Sequence, residues 1–259
     1  MTTSDPGAVV HSAVAHGVAT ITLDSPTNRN ALSNQLRAEL AESIESALRD
    51  DSVRLLVLTH TGPVFCAGAD LKEARGADAA PAGSELVGLL TAVMTADKPV
   101  IARLAGPARA GGIGLVAACD LVVATESTTF VFSEVRLGVV PAIISVPLRG
   151  RVAPQALREL FLTGNLFDAK HAAQIGLVDT VTSEADLDDA IDTLAAALNL
   201  ASPHALNGVK KLLGPNRREL IEEMAQMQQL TAQYFSSEDG QEGVRAFGEK
   251  RLPAWAGTA

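Results

Sequence analysis

The sequence predicts an α/β fold with a largely parallel sheet followed by a helical C-terminal region. Over residues 8–124, β-branched and Leu-rich runs alternate with segments of helical spacing, the order that builds parallel βαβ units. After Pro154 nearly every segment has helical spacing. Two segments of small residues, Phe65-Cys66-Ala67-Gly68-Ala69-Asp70-Leu71-Lys72 and Ala110-Gly111-Gly112-Ile113-Gly114, each fall at a switch from strand to helix. Small residues there let backbone N–H groups approach a ligand closely.

The elements follow in order. Val9 to Ala15 and Val18 to Leu23 flank His16-Gly17 and read as a hairpin. Asn28 to Leu32 is a loop. Ser33 to Asp50 places Leu36, Leu40, Ile44 and Leu48 on one helical face. Val53 to Thr59 is a buried strand, residues 73–83 an aperiodic Ala/Gly/Pro loop, Ser84 to Ala96 a helix, and Pro99 to Leu104 a strand. Gly111 to Ala118 suits a buried helix, and Leu121 to Ala124 a strand. Residues 154–174, 184–199, 203–213, 217–235 and 238–250 read as helices, with a short strand near Leu177 to Val181. The last three helices are amphipathic, and another subunit is a natural cover for their apolar faces. The division is residues 1–195 for the core and 196–259 for the helical region.

Composition narrows the function. Of 259 residues, 47% are hydrophobic and 3% aromatic, so the core is built from Leu, Val, Ala and Ile. The net charge of −9 without a Lys/Arg run argues against nucleic acid or an anionic membrane as partner. No apolar run reaches membrane-spanning length. No basic-then-apolar leader is visible in Met1 to Gly7. Cys66 and Cys119 match no zinc or disulfide pattern and read as cytosolic thiols. The five histidines have no metal spacing, and no metal is expected. Gly106 to Gly112 lacks a following Gly-Lys-Ser/Thr, and Gly112-Ile113-Gly114 lacks a third glycine, so neither nucleotide fingerprint holds. No Gly-x-Ser-x-Gly elbow or His-Glu-x-x-His is present.

Taken singly, Ala67–Ala69 is a tight turn and Gly111–Gly114 a site of close helix packing. Jointly they resemble the crotonase, or enoyl-CoA hydratase/isomerase, superfamily. Asn28-Arg29-Asn30-Ala31-Leu32 and Phe65 to Leu71 are similar to its first signatures. Gly106 to Asp120 and Phe130 to Pro141 are similar to its second and third. Leu162-Thr163-Gly164, Gly176-Leu177-Val178 and Glu242 to Arg251 also fit. The resemblance runs in order along essentially the whole chain.

That resemblance implies a ClpP-like spiral of ββα units with a C-terminal trimerisation region, and a homotrimer or dimer of trimers acting on an acyl-CoA thioester. Coenzyme A belongs to the substrate, and no separate cofactor is implied. The backbone N–H groups of Ala69 and Gly111 take the positions of the oxyanion donors, which hold the negative oxygen of a thioester enolate better than water does. Ala67, Asp70, Leu71 and Lys72 become coenzyme A neighbours, with Gly114, Pro141 and Phe247 also lining the site. Lys250 resembles a phosphate contact supplied by a neighbouring subunit, although a solvated lysine is the ordinary reading of both Lys72 and Lys250.

The acids depart from the two-carboxylate pattern. The first glutamate position of hydratases falls on Gly114, and the third acid of dienoyl-CoA isomerases falls on Ala142. Glu134 alone occupies a family catalytic position. Its neighbours Phe132 and Val135 predict a raised pKa suited to a general base. Ser133 to Gly138 with Pro141 to Ser145 also resembles bacterial methylglutaconyl-CoA hydratase-type sequences, many of which carry glycine at the position of Gly114. Hydration of a 2-enoyl-CoA is therefore the leading expectation. Δ3-Δ2 isomerisation by Glu134 alone and weakly active acyl-CoA binding are the alternatives. Arg109 and Ala110 replace an apolar residue and a glycine, and a role for Arg109 toward an acyl-tail carboxylate is a further expectation, weaker than that of a rim arginine.

Overall fold

The computed structural model describes residues 7–70, 73 and 83–257. The hairpin forms as expected: β1 (Val10–Ala15) and β2 (Val18–Leu23) pair antiparallel across His16 and Gly17. Both turn residues have positive φ, 52° and 79°, which matches the twist of the strands. Helix α1 (Asn34–Arg49) starts where the Ser33 hydroxyl accepts from the Leu36 amide, and it buries Leu36, Leu40 and Ile44. Ala47 rather than Leu48 completes that buried face.

Strand β3 (Leu55–His60) is buried along its whole length. It is followed by α2 (Ser84–Met94), β4 (Val100–Leu104), the two-residue β5 (Ala108–Arg109), α3 (Gly111–Ala118), β6 (Leu121–Thr125) and β7 (Thr129–Val131). The main sheet has the order β1-β2-β3-β4-β6-β9, where β9 is Thr180–Thr182. Every pairing after the hairpin is parallel. Both faces of such a sheet must be covered. Leu56 and Leu58 face the cluster that also holds Leu36, Leu40 and Ile113. Leu55, Val57, Ile101 and Val123 face Leu187, Ile191 and Ala195 of α7 (Leu187–Leu200).

A second, smaller sheet joins β5, β7 and β8 (Phe167–Asp168). Isolated parallel bridges, Cys66 to Ala108 and Leu32 to Ala69, extend its line of contacts. Four of the chain's few aromatic rings, Phe130, Phe132, Phe161 and Phe167, stack or meet edge-on behind it at 4.8–5.7 Å.

Two expectations need correction. Residues 154–174 are two helices, α5 (Pro154–Thr163) and α6 (Ala169–Gln174). Gly164, at φ 60°, closes the first, β8 intervenes, and the Asp168 carboxylate caps the second through the His171 amide. The strand placed near 177–181 lies at Thr180–Thr182. Residues 195 and 196, where the sequence reading divides the chain, lie in α7, which runs to Leu200 ahead of α8 (Pro203–Leu213). Beyond it lie α9 (Arg217–Ser236) and α10 (Glu238–Glu249).

The sequence pattern also leaves α4 (Ala142–Arg149) unforeseen. Pro147 lies inside it, and apolar residues surround it on nearly every side, so it has no helical stripe to read. It packs on α3 and α9.

Candidate active site

The site begins with Asn30. It is fully buried at φ 52°. Its side-chain oxygen accepts from the Ser25 amide, and its side-chain nitrogen donates to the carbonyls of Thr61 and Val64 at 3.1 and 2.8 Å. This pins the 25–32 loop against the end of β3. The loop then holds the first small-residue segment: the Ala67 amide donates to Arg29 O, and the Leu32 amide to Gly68 O at 2.8 Å.

Gly68 stands at φ +86°, and a Cβ there would lie 2.9 Å from Ala110 Cβ, 3.0 Å from Arg109 O and 3.4 Å from Gly111 N. Only glycine permits both the conformation and the approach. The two small-residue segments expected to cooperate are therefore in backbone contact. The Arg109 amide donates to Cys66 O, and the Ala110 amide to Val131 O, which sets the start of α3. Ala110 itself has φ 45° and ψ −120°, a conformation that costs a non-glycine residue about 1–3 kcal/mol. Gly112 packs its Cα face on Cys66, where a Cβ would come within 2.7 Å of Cys66 Cβ.

Among the described residues, neither the Ala69 nor the Gly111 amide donates to any other group. Ala69 is exposed, and Gly111 opens α3, where first-turn amides have no acceptor within the helix. A Cβ on Gly111 would meet Leu32 Cδ1 at 3.0 Å and Leu86 Cδ2 at 3.5 Å. Two unpaired donors thus border an apolar wall, the setting in which they stabilise a negative oxygen most.

Glu134 opens a short 3-10 helix, Glu134–Leu137, three residues beyond the carbonyl that holds Ala110. Its main-chain oxygen accepts from the Val139 amide at 3.1 Å, and Gly138 at φ 69° ends the turn. One carboxylate oxygen, Oε2, is buried without a hydrogen-bond partner. Burial pushes this carboxyl up from 4.5 to about 7. Glu134 is therefore no ordinary surface glutamate.

The other acid positions are apolar. Gly114 is buried on α3, and a Cβ on it would lie 2.5 Å from Ile144 Cγ2. Ala142 is buried at the start of α4, and Pro141 caps that helix. The Arg109 guanidinium donates to Ala108 O, to Thr129 O at 2.5 Å and to Thr129 Oγ1 at 2.9 Å, clamping β5 to β7. Burial pushes the Cys66 thiol up to about 12, so it is not a nucleophile at neutral pH.

Of the remaining candidates, Ala67 and Asp70 flank the donor turn, and the Asp70 carbonyl accepts from Glu73 N. Leu71 and Lys72 lie outside the described residues. Phe247 is exposed on α10, and Lys250, at φ 55°, ends that helix. Both come one to two turns after Gly243, whose Cα face lies on Leu137 O. Sequence reasoning missed Leu86 and Ile144, whose roles depend on the packing of α2 and α4. Among the described residues no group of His, Cys, Asp or Glu is placed to hold a metal ion. No helix there is long and apolar enough to cross a membrane.

The sequence pattern of the enoyl-CoA hydratase/isomerase family matches residues 13–258. The chain belongs to that family. The crystal structure of an enoyl-CoA hydratase from Mycobacterium avium superposes with a TM-score of 0.85 at 38% identity, covering 96% of this chain and 99% of that one. The 2,3-dehydroadipyl-CoA hydratase of Escherichia coli is 34% identical over 244 residues, 93% of this chain and 95% of its own. A methylmalonyl-CoA decarboxylase bound to 2-nitronate-propionyl-CoA superposes with a TM-score of 0.83 at 25% identity, covering 96% and 99%. The fold is the crotonase fold, and this enzyme family acts on acyl-CoA thioesters.

Proposed function

We propose that this enzyme moves a proton along an acyl-CoA enolate with one acid/base group, Glu134, and that it converts a 3-enoyl-CoA to its conjugated 2-enoyl isomer. The observation that carries the reading is the pairing of one carboxyl, whose buried Oε2 has no partner, with an apolar residue, Ile144, over the only other hydratase acid position. The Glu134 carboxylate takes a proton from C2. The C–H electron pair flows toward the thioester, and the oxygen of the resulting dienolate accepts from the Ala69 and Gly111 amides. Glu134 then returns the proton to C4. The C3–C4 double-bond pair forms the new C–H bond, the double bond moves to C2–C3, and the carbonyl re-forms. Each backbone donor is worth a factor of about 10²–10³ in such sites, and the general base about 10²–10⁴.

Coenzyme A arrives as part of the substrate in this reading, with Ala67, Asp70, Leu71, Lys72 and Pro141 as its neighbours and no other cofactor used. A homotrimer or dimer of trimers, with Phe247 and Lys250 serving an adjacent site, accords with the exposed Val209, Leu212 and Leu213 of α8. A cytoplasmic setting accords with two buried, unpaired cysteines.

Hydration of a 2-enoyl-CoA, with Glu134 acting on water, is the second reading, and the names of several relatives favour it. The test offers the enzyme crotonyl-CoA and a 3-enoyl-CoA and follows conjugated absorbance. A gain with the 3-enoyl thioester, abolished by Glu134→Gln, supports isomerisation. Faster loss of absorbance with crotonyl-CoA makes the enzyme a hydratase, and binding without either change makes it an acyl-CoA-binding homologue.

A further inference from the structure

We propose that Ile144 is a specificity-determining residue of this enzyme: it excludes the second acid and the attacking water, and so confines the site to proton transfer. The proposal rests on the single-base reading above. Gly111 and Gly114 are three residues apart on α3, and so share one helical face. At Gly111 that face meets Leu32 and Leu86, while at Gly114 it meets Ile144, whose Cγ2 and Cβ would lie 2.5 and 2.9 Å from an added Cβ. Ile144 is 3% exposed and lies in the first turn of α4, the helix that packs on α3 and α9.

A second contact fixes it there. The preceding residue, Ile143, presses Cδ1 toward Gly83 at the start of α2, where an added Cβ would be 2.2 Å away. Helix α4 is therefore packed against both α3 and the start of α2. The β-branched Ile144 side chain also has little rotamer freedom in a helix. The absent carboxylate is thus not a simple vacancy at residue 114. Its space is filled from the opposite helix by hydrocarbon, which offers a water no hydrogen-bond partner. Hydration adds a hydroxyl to C3 and a proton to C2, so it needs the water that this side chain displaces. Isomerisation returns the same proton and needs none.

The full-length protein, Ile144→Ala, Gly114→Glu and the double variant are compared on crotonyl-CoA and on a 3-enoyl-CoA. The double variant is expected to gain about 100-fold or more in hydration and to invert the ratio of hydration to isomerisation. Gly114→Glu alone is expected to gain less than a tenth of that. Equal gains in the single and double variants, or a folded double variant at the wild-type hydration rate, would overturn the assignment. If the double variant does not fold, Gly114→Ala reads the same contact through thermal stability. It should lower Tm beside Ile144 and lower it less in the Ile144→Ala background, where the Cγ2 contact is gone and only the Cβ contact remains, and additive losses would refute the contact. A wild-type enzyme that fails on the 3-enoyl-CoA while the double variant gains hydration would sink the single-base reading and leave the role of Ile144 standing.

Discussion

Replacing Glu134 by glutamine should stabilise the protein at alkaline pH while abolishing turnover. The carboxyl is raised from 4.5 to about 7 by burial, with Oε2 unpartnered. A group raised in this way contributes most to stability below its unfolded pKa, where it is protonated in both states, and that contribution is lost as pH rises through its folded pKa. The gap of about 2.5 corresponds to about 3 kcal/mol at 1.36 kcal/mol per unit. Nearly all of it is lost by pH 8, while at pH 5 the loss is below about 1 kcal/mol. Glutamine carries no charge at either pH. Any cost of its buried amide is the same at both, so the pH dependence isolates ionisation. At about 2–4 °C per kcal/mol, the Tm difference between Glu134→Gln and wild type should widen by roughly 5–10 °C from pH 5 to pH 8. Differential scanning calorimetry without ligand measures it. A difference that is constant with pH would show that the carboxylate is solvated in the folded protein, and the case for Glu134 as a tuned base would fall with it.

Other outcomes follow from the same geometry. Because the base must be ionised, kcat/KM on a 3-enoyl-CoA should rise with pH and level off above about 7; a plateau reached already at pH 5 would contradict it. Gly68→Ala, forced to φ +86° and within 3.0 Å of Arg109 O, should displace the Ala69 donor and lower kcat by about 10²–10³, and a kcat within twofold of wild type would refute the donor assignment. Glu242 receives hydrogen bonds from Arg251 and Arg245, and from the Ala254 amide at 3.1 Å, and is held down at about 2. Its contribution is full above the usual carboxylate range and is lost as pH falls toward about 2. Glu242→Gln should release residues 251–255 at neutral pH, moving the fluorescence of Trp255, the single tryptophan, to the red. An unchanged spectrum would mean that the tail is held by its packing on Gly138 instead.

The backbone part of the site was legible through the family resemblance of the two glycine-bearing segments taken together, and the structure shows what the glycines do there. Gly68 needs positive φ, and Gly111 and Gly112 need close approach. Glu134 was legible because it falls on a catalytic acid position of the family that the chain resembles. Ile144 was not, because an isoleucine in a buried helix looks alike whether it fills a core or closes a site. Arg109, expected chiefly as a rim arginine, has its guanidinium partners in its own small sheet, the Ala108 and Thr129 carbonyls and the Thr129 hydroxyl. The break at 164–168 was marked by Gly164 and Asp168, whose stop and cap signals were masked by continuous helical spacing on either side.

The Asn30 anchorage has a consequence for how such a protein changes over generations. The donors at 69 and 111 are peptide groups, so no substitution at those two positions except proline can delete them. Their positions are fixed by backbone carbonyls and by one buried amide side chain, not by the side chain that handles the proton. Charge stabilisation is thus inherited as backbone shape, while proton delivery is inherited as residue identity. A lineage can lose, move or regain an acid at 114, 134 or 142 and still keep a working enolate cradle. What it cannot exchange freely is Asn30, whose amide is spent on the backbone of Ser25, Thr61 and Val64.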